Sequence, residues 1–318
     1  MAMSDTLNIS HKAKRKIDFT SIGFDMGCAF NNVGNFSIVP FNGLYLASFR
    51  RFGYWITSDR QQYLTQKNLK LQDPHKHLFC LMDSDFNFIK HLPCPSSTYW
   101  EDPKFNLRTP YLEDMRMVNW DGRTYGISAI FYQNEKSYER FGMELQEICV
   151  EQRGMELCAN VSCRHKWNSV QHGVMGRHKN WMPVCDKPFT FITSTWNDGV
   201  QVFDIHKGKF DIIGKEGKAD EIHRGNTGLV KTLDGGYMAI THKLSFDERG
   251  RKIYQNRLVE YNEDLSLRKI YTPFKLCESE IEFVTTLLQL PSGEVFIGVT
   301  EMDEVPMGFV FDIEDIKR

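Results

Sequence analysis

The segment Tyr111-Leu-Glu-Asp-Met-Arg116 puts two carboxylates, Glu113 and Asp114, beside one guanidinium. A carboxyl group in that setting suits general acid–base work, and it suits an ordinary ion pair equally well. Its company along the chain tips the reading toward chemistry. Asn35-Phe-Ser37 with Arg50, Arg177-His-Lys-Asn-Trp-Met-Pro183, His223-Arg-Gly-Asn-Thr227 with Thr241-His242, and Glu280-Ile-Glu282 with Asp303 each bring further polar or charged groups. Leaving such groups buried and unpaired is costly, so a purely structural core has no use for them.

The inventory has a chemical direction. A few carboxylates stand among Arg50, Arg116, Arg177, Lys179, His223, Arg224 and His242. Such a cluster holds an anion, because Arg forks match phosphate or carboxylate oxygens in pairs. An acid beside an anion site suits inverting glycosyl transfer, in which one carboxylic acid protonates the leaving oxygen and the nucleophile enters from the opposite face. When that nucleophile is phosphate, it needs no separate base.

Five turn-and-strand units position these residues. Asn42-Gly43 precedes the run from Leu44 to Arg50, and Asp121-Gly122 precedes Thr124 to Ser128. Asp186-Lys-Pro188 precedes Phe189 to Thr193, Asp234-Gly-Gly236 precedes Tyr237 to Thr241, and Ser292-Gly293 precedes Val295 to Val299. Turns of this kind supply the positive φ of hairpins, and the runs after them are rich in β-branched and aromatic residues. Outer hairpins recur too, with His77 to Ile89 resembling Arg257 to Ile270. A degenerate repeat of this length predicts one sheet per unit, hence an all-β, five-bladed β-propeller whose inner strands face one axial pocket. Residues 135–171 break the rhythm. Their i, i+3/i+4 apolar spacing from Phe141 to Val150 leaves open a short helix or an insertion over the pocket.

Composition sets the bounds. The chain has 318 residues, 41% hydrophobic and 25% charged, with a formal net charge of −2. This is ordinary globular composition, and it gives no electrostatic basis for a general nucleic-acid binder. Residues 1–20, with the basic run Lys12 to Lys16, read as a flexible arm, and residues 21–318 as one catalytic propeller domain. No apolar run approaches the ~20 residues of a membrane span, and the N-terminus has no signal-peptide core, so the cytoplasm is the expected location. The eight cysteines are scattered. Cys158-x4-Cys163 with His165 has no matching second ligand pair, so no metal is expected and the thiols are read as free.

In order along the chain, Asn35/Ser37, Leu112-Glu-Asp-x-Arg116, Lys179-Asn-Trp-x-Pro183, His223-Arg-Gly-Asn-Thr-Gly228 and Glu282 with Asp303 resemble the blade motifs of glycoside hydrolase family 130. That family contains β-mannoside phosphorylases and hydrolases, and it is similar to the mannosyltransferase/phosphorylases of glycosyltransferase family 108. The resemblance implies Asp114 as general acid, with Asn35, Ser37, Arg50 and Asp303 holding the donor sugar. It implies Arg177, Lys179, Asn180, His223 and Arg224 near phosphate. Arg116, His242 and Glu282 are further substrate-binding candidates, and Trp181 could stack on a sugar or narrow the acceptor region. Two departures stand out: Met115 follows the acid where the family has Pro, and Trp181 replaces a small residue.

The first expectation is therefore an inverting phosphorylase of a β-mannoside-type bond, with an oligosaccharide or glycoside as substrate and inorganic phosphate as co-substrate, and with no other cofactor. Alternatives are a transferase with a nucleotide-sugar donor, a hydrolase with Glu282 or another carboxylate as water-activating base, and a non-catalytic glycan- or protein-binding propeller. Sugar, linkage and oligomeric state are not specified by these residues.

Overall fold

The computed structural model describes residues 6–22, 33–51, 54–56, 63–65, 77–94, 108–133, 138–168, 179–218, 221–246, 248, 252–279 and 282–317. Within them the chain forms four four-stranded sheets, one seven-stranded sheet and a two-stranded sheet. The first sheet runs Val33–Phe41, Leu44–Arg51, His77–Met82, Phe88–Leu92, and the second Arg108–Trp120, Arg123–Gln133, Tyr138–Arg153, Glu156–Asn168. The third is Met182–Pro183, Thr190–Trp196, Gly199–Asp204, Lys209–Gly214. The seven-stranded sheet centres on Tyr237–Phe246 and Lys252–Tyr261, with Arg224–Gly225 and Val230–Lys231 along one edge. The C-terminal sheet is Glu282–Gln289, Val295–Glu301, Val305–Phe311 and the N-terminal strand Arg15–Asp18. The arrangement is all-β and propeller-like, with four sheets of the four-stranded blade form.

The hairpin chemistry explains the short connections. Asn42-Gly43 and Asp121-Gly122 all take positive φ, from 48° to 78°, which matches the right-handed twist of the strands they join. Period-two alternation fades in the inner strands because both faces are covered. Val33–Phe41 reads buried over its first seven residues. Apolar clusters lie between successive sheets: Val39, Leu46 and Phe79 of the first pack with Met115, Met117 and Ile148 of the second. Trp120, Ile127 and Leu145 of the second pack with Phe191 and Phe203 of the third. Phe36 and Phe49 of the first meet Phe296 and Val310 of the C-terminal sheet. Inner-strand residues including Ser37, Met117, Leu229 and Thr286 line an axial cavity of about 300 Å³.

Two expectations are corrected. Residues 6–22 are not a loose arm: Leu7 pairs with Phe274, and Arg15–Asp18 pairs with Val310 to Met307 as the outer strand of the C-terminal sheet. The strand is half solvated, so its basic residues mask it in the sequence. Lys14 bridges Glu294 and Asp312, while Phe19 is 1% exposed among Phe36, Phe49 and Phe296. The segment within 135–171 contains no helix among its described residues. It is the hairpin Tyr138–Arg153/Glu156–Asn168, the outer half of the second sheet. Met143 and Leu145 pack toward the third sheet and Ile148 toward the first, so one strand with two apolar faces imitates helical spacing. Among the described residues, no helix is long and apolar enough to cross a membrane.

Phe19→Ala is expected to destabilise the protein by about 3–5 kcal/mol in chemical denaturation, the usual cost of emptying a buried aromatic site. A cost below about 0.5 kcal/mol, the surface value, would show that the N-terminal strand is not part of the fold.

Candidate active site

Two β-bulges aim the principal residues. In the first sheet Gly34 pairs with Arg50 and Ser37 with Ser48, so Asn35 and Phe36 together oppose Phe49. In the second, Glu113 pairs with Ala129 and Arg116 with Ile127, so Asp114 and Met115 together oppose Ser128. Asn35 has φ 40° and Asp114 φ 50°, conformations that cost a non-glycine residue of order 1–3 kcal/mol and that re-aim the side chain. Neighbours hold them there. Asn35 N donates to Thr300 Oγ1 at 2.6 Å, and the Phe36 carbonyl accepts from Thr285 and Thr286 at 2.5 and 2.7 Å. Arg116 Nη1 donates to the Asp114 carbonyl at 2.8 Å.

The two bulges bring their side chains together. Asp114 Oδ1 accepts from Asn35 Nδ2 at 2.9 Å and from Arg50 Nη1 at 2.7 Å, while Arg50 Nη2 reaches Glu113 Oε1 at 2.9 Å. Asp114 is only 5% exposed. Burial acts to raise its pKa, but Arg50, Lys179, Arg116 and the Asn35 amide outweigh that and hold the carboxyl well below the usual carboxylate range. Asp114 is thus a carboxylate inside a cationic ring.

Arg116, expected at the substrate, is instead a strut. Its Nε donates to the Asn226 carbonyl at 2.7 Å and Nη2 to the Gly225 carbonyl at 3.4 Å, joining the second sheet to the seven-stranded one. Burial pushes this guanidinium down to about 10, against the pull of Asp114. His242 pairs with Arg224 in the strand ladder. Burial, then Lys179, Arg224 and Arg116, push its imidazole well below its ordinary value, with Asp114 opposing, so the ring is neutral. Its Nδ1 meets Asn226 Oδ1.

Asn180 has φ 65°, is 1% exposed, and its side-chain oxygen and nitrogen have no hydrogen-bond partner among the described residues. Asn35 Oδ1 is likewise buried without a partner. Buried amides in native folds are normally satisfied, which makes Asn180 and Asn35 candidates for a ligand contact.

Other expected residues fall elsewhere. Trp181 packs against Phe191, Phe203 and Phe210 in the core and is 1% exposed, so it offers no sugar platform; its indole fills the space between second and third sheets. Ser37 Oγ accepts from Met117 N at 2.8 Å and ties two inner strands. Glu282 is fully buried, and its carboxylate accepts from Leu276 N at 2.9 Å, Cys277 N at 2.8 Å and Asn256 Nδ2 at 2.6 Å. Those donors occupy it, so neither substrate contact nor the base role fits. Burial pushes it up to about 7 against those hydrogen bonds. His223 is buried, its backbone paired with Thr195; burial, then Arg257 and Lys243, bring its imidazole to about 4. Asp303, at φ 58°, occupies the turn after Glu301, which pairs with Glu282, at the same end of its sheet as the bulges' charged residues. Arg177 lies outside the described residues. Among those described, no group of His, Cys, Asp and Glu is arranged to hold a metal. Asn256 and Thr300 carry no signal in the sequence, because their residue types are common and their partners are distant in the chain.

No family model matches the sequence, and no curated protein matches it. Solved structures do. A glycosyl hydrolase from Bacteroides ovatus aligns with TM-score 0.55 and 11% identity over 89% of this chain and 85% of its own. A structure from the GH130 family of mannoside phosphorylases, which contains glycoside hydrolases that target β-1,2 mannosidic linkages in Candida mannan, aligns with TM-score 0.51 and 10% identity, covering 89% and 85%. MPT-1, a GDP-Man-dependent mannosyltransferase from Leishmania mexicana, aligns with TM-score 0.50 and 13% identity, covering 94% and 89%. At such identities the likeness establishes a shared fold, and the neighbours include the family that the sequence motifs resemble.

The depressed Asp114 pKa has a sign that can be measured. A carboxyl whose folded pKa lies below its unfolded value of about 3.9 contributes stability above that pH, lost as pH falls through the folded pKa. Asp114→Asn leaves Arg50 and Arg116 buried without that counter-charge, a loss of about 3–5 kcal/mol. The melting-temperature gap between wild type and variant is expected to be full at neutral pH and to shrink below about pH 4. An identical gap at pH 3 and pH 7 would contradict the ion pair.

Proposed function

We propose that this chain is an inverting, carbohydrate-active enzyme that cleaves a β-mannoside-type bond with inorganic phosphate. The observation that carries the reading is the buried Asp114 carboxylate ringed by Arg50, Lys179 and Arg116, with the unsatisfied amide atoms of Asn180 and Asn35. The shared fold with GH130 structures supports it. The five-blade count belongs to the same proposal: the seven-stranded sheet is the remaining blade, since apolar clusters join it to the third sheet on one side and the C-terminal sheet on the other.

In this reading residues 6–317 act as one domain, and the roles divide by chemistry. Asn35 and Asn180 offer amide groups to sugar hydroxyls. Lys179 and Arg224, with Arg177, hold the anion, and Asp303 contacts the donor sugar. Arg50 keeps Asp114 oriented. Asp114 takes up a proton from solvent as the complex assembles and passes it to the glycosidic oxygen, directly or through a sugar hydroxyl, as phosphate attacks the anomeric carbon from the opposite face and the glycosidic bond breaks. An anion beside Lys179 cancels part of the field that depresses Asp114, and so lifts its pKa once the complex is assembled. Inversion of a β-mannoside yields α-mannose 1-phosphate.

The likeness to MPT-1 favours one second reading, transfer from a nucleotide-sugar donor with the same cations holding the diphosphate. The two separate in one assay. With a β-mannoside and phosphate, the first predicts release of mannose 1-phosphate; with GDP-mannose and acceptor but no phosphate, the second predicts release of GDP. Asp114→Asn is expected to lower phosphorolysis about 10²–10⁴-fold while sugar binding persists. Near-normal turnover in that variant would place the acid elsewhere. Arg224→Ala should weaken phosphate use far more than sugar binding, and equal losses would remove Arg224 from the anion site.

A further inference from the structure

We infer that the buried chain Glu282–Asn256–Asn226 fixes His242 as the Nδ1–H tautomer, so that its Nε2 presents a bare lone pair to an O–H group of the ligand. The direction of each hydrogen bond follows from the one before. Every contact made to the Glu282 carboxylate comes from a donor: the backbone N–H groups of Leu276 and Cys277, and the Asn256 amide at 2.6 Å. Asn256 must therefore turn its NH2 to Glu282 and its oxygen to Asn226, whose Nδ2 donates to that oxygen at 2.9 Å. Asn226 has only its own Oδ1 left for His242, and an oxygen acceptor requires a proton on Nδ1. These groups are 0–2% exposed, so water cannot substitute for a wrong orientation.

The neutral state of the ring completes the argument. Lys179, Arg224 and Arg116 act on it and Asp114 opposes them, while Tyr254 and Phe283 pack around it with ring centroids 5.2 and 5.4 Å away. Nε2 forms no hydrogen bond among the described residues. A bare nitrogen repels a fully ionised oxygen and welcomes a hydroxyl hydrogen. Resting on the carbohydrate reading above, the group it takes is a sugar hydroxyl or the remaining O–H of hydrogen phosphate. Glu282 and the two asparagines are positioning residues; His242 touches the ligand.

The test is two-bond proton–nitrogen correlation on the full chain labelled with ¹⁵N-histidine, at about pH 8 where Glu282 is ionised, with His242→Asn assigning the signal. The free protein is expected to show Nδ1–H with a bare Nε2; Nε2–H or an imidazolium overturns the proposal. Glu282→Gln is the sharper arm. Its carbonyl stays with the Leu276 and Cys277 donors and its NH2 faces Asn256, so both asparagines reverse and His242 switches to Nε2–H. A residue with a merely structural role would lower the melting temperature and leave the tautomer unchanged, which also overturns the proposal. Addition of mannose or of inorganic phosphate then identifies the source of the O–H by which one moves the Nε2 signal. A signal that ignores both removes the acceptor role, whereas the carbohydrate reading itself stands or falls on turnover by Asp114. Glu282→Gln is expected to weaken the ligand so identified about 10-fold, the scale of one neutral hydrogen bond.

Discussion

A carboxylate buried inside a β-propeller-like fold must be neutralised on the spot, and the pairing of Asp114 with Arg50 meets that demand. Desolvation of a lone ion at 5% exposure is worth several kcal/mol against folding. Arg50 at 2.7 Å, Asn35 at 2.9 Å and the field of Lys179 and Arg116 offset it. Because these groups come from separate sheets, the charge is stable only when the sheets are assembled around it. Arg116 reinforces the dependence by crossing to the carbonyls of Gly225 and Asn226.

The same assembly divides the polar residues into two kinds. Arg116, Ser37, Thr300 and Glu282 spend their hydrogen-bonding capacity on backbone groups, and so hold bulges and inner strands in register. Asn180 and Asn35 keep amide atoms unsatisfied although they are buried. The distinction is one of hydrogen-bond accounting, and it separates residues that would otherwise look equally functional.

Much of the architecture was legible in the chain alone. The turns Asn42-Gly43 and Asp121-Gly122 specify hairpins locally, since positive φ is a property of those residues themselves. The pairing of Asp114 was not legible there: Arg116 is its neighbour in sequence, yet its carboxylate meets Arg50, 64 residues away. Local signals failed where burial was two-sided or one-sided in an unexpected way. Ile148 and Leu145 face different sheets, which made a strand resemble a helix. The strand Arg15–Asp18 is solvated on one face, which made it resemble a free arm.

What the sequence determined by itself was the strand repeat, its turns and the surplus of charge beside the inner strands, all encoded within a few residues of each other. Only the tertiary structure decided which of those charges meet one another. Trp181 became core because Phe191 and Phe203 arrive beside it, and Glu282 became an anchor because Asn256 and the Leu276–Cys277 backbone donate to it. The bulges are set by register within two hairpins, but the Asn35 and Asp114 side chains they aim meet across 79 residues of chain. Their hydrogen-bond partners are non-local, and spacing along a chain carries no information about which distant donor will be waiting.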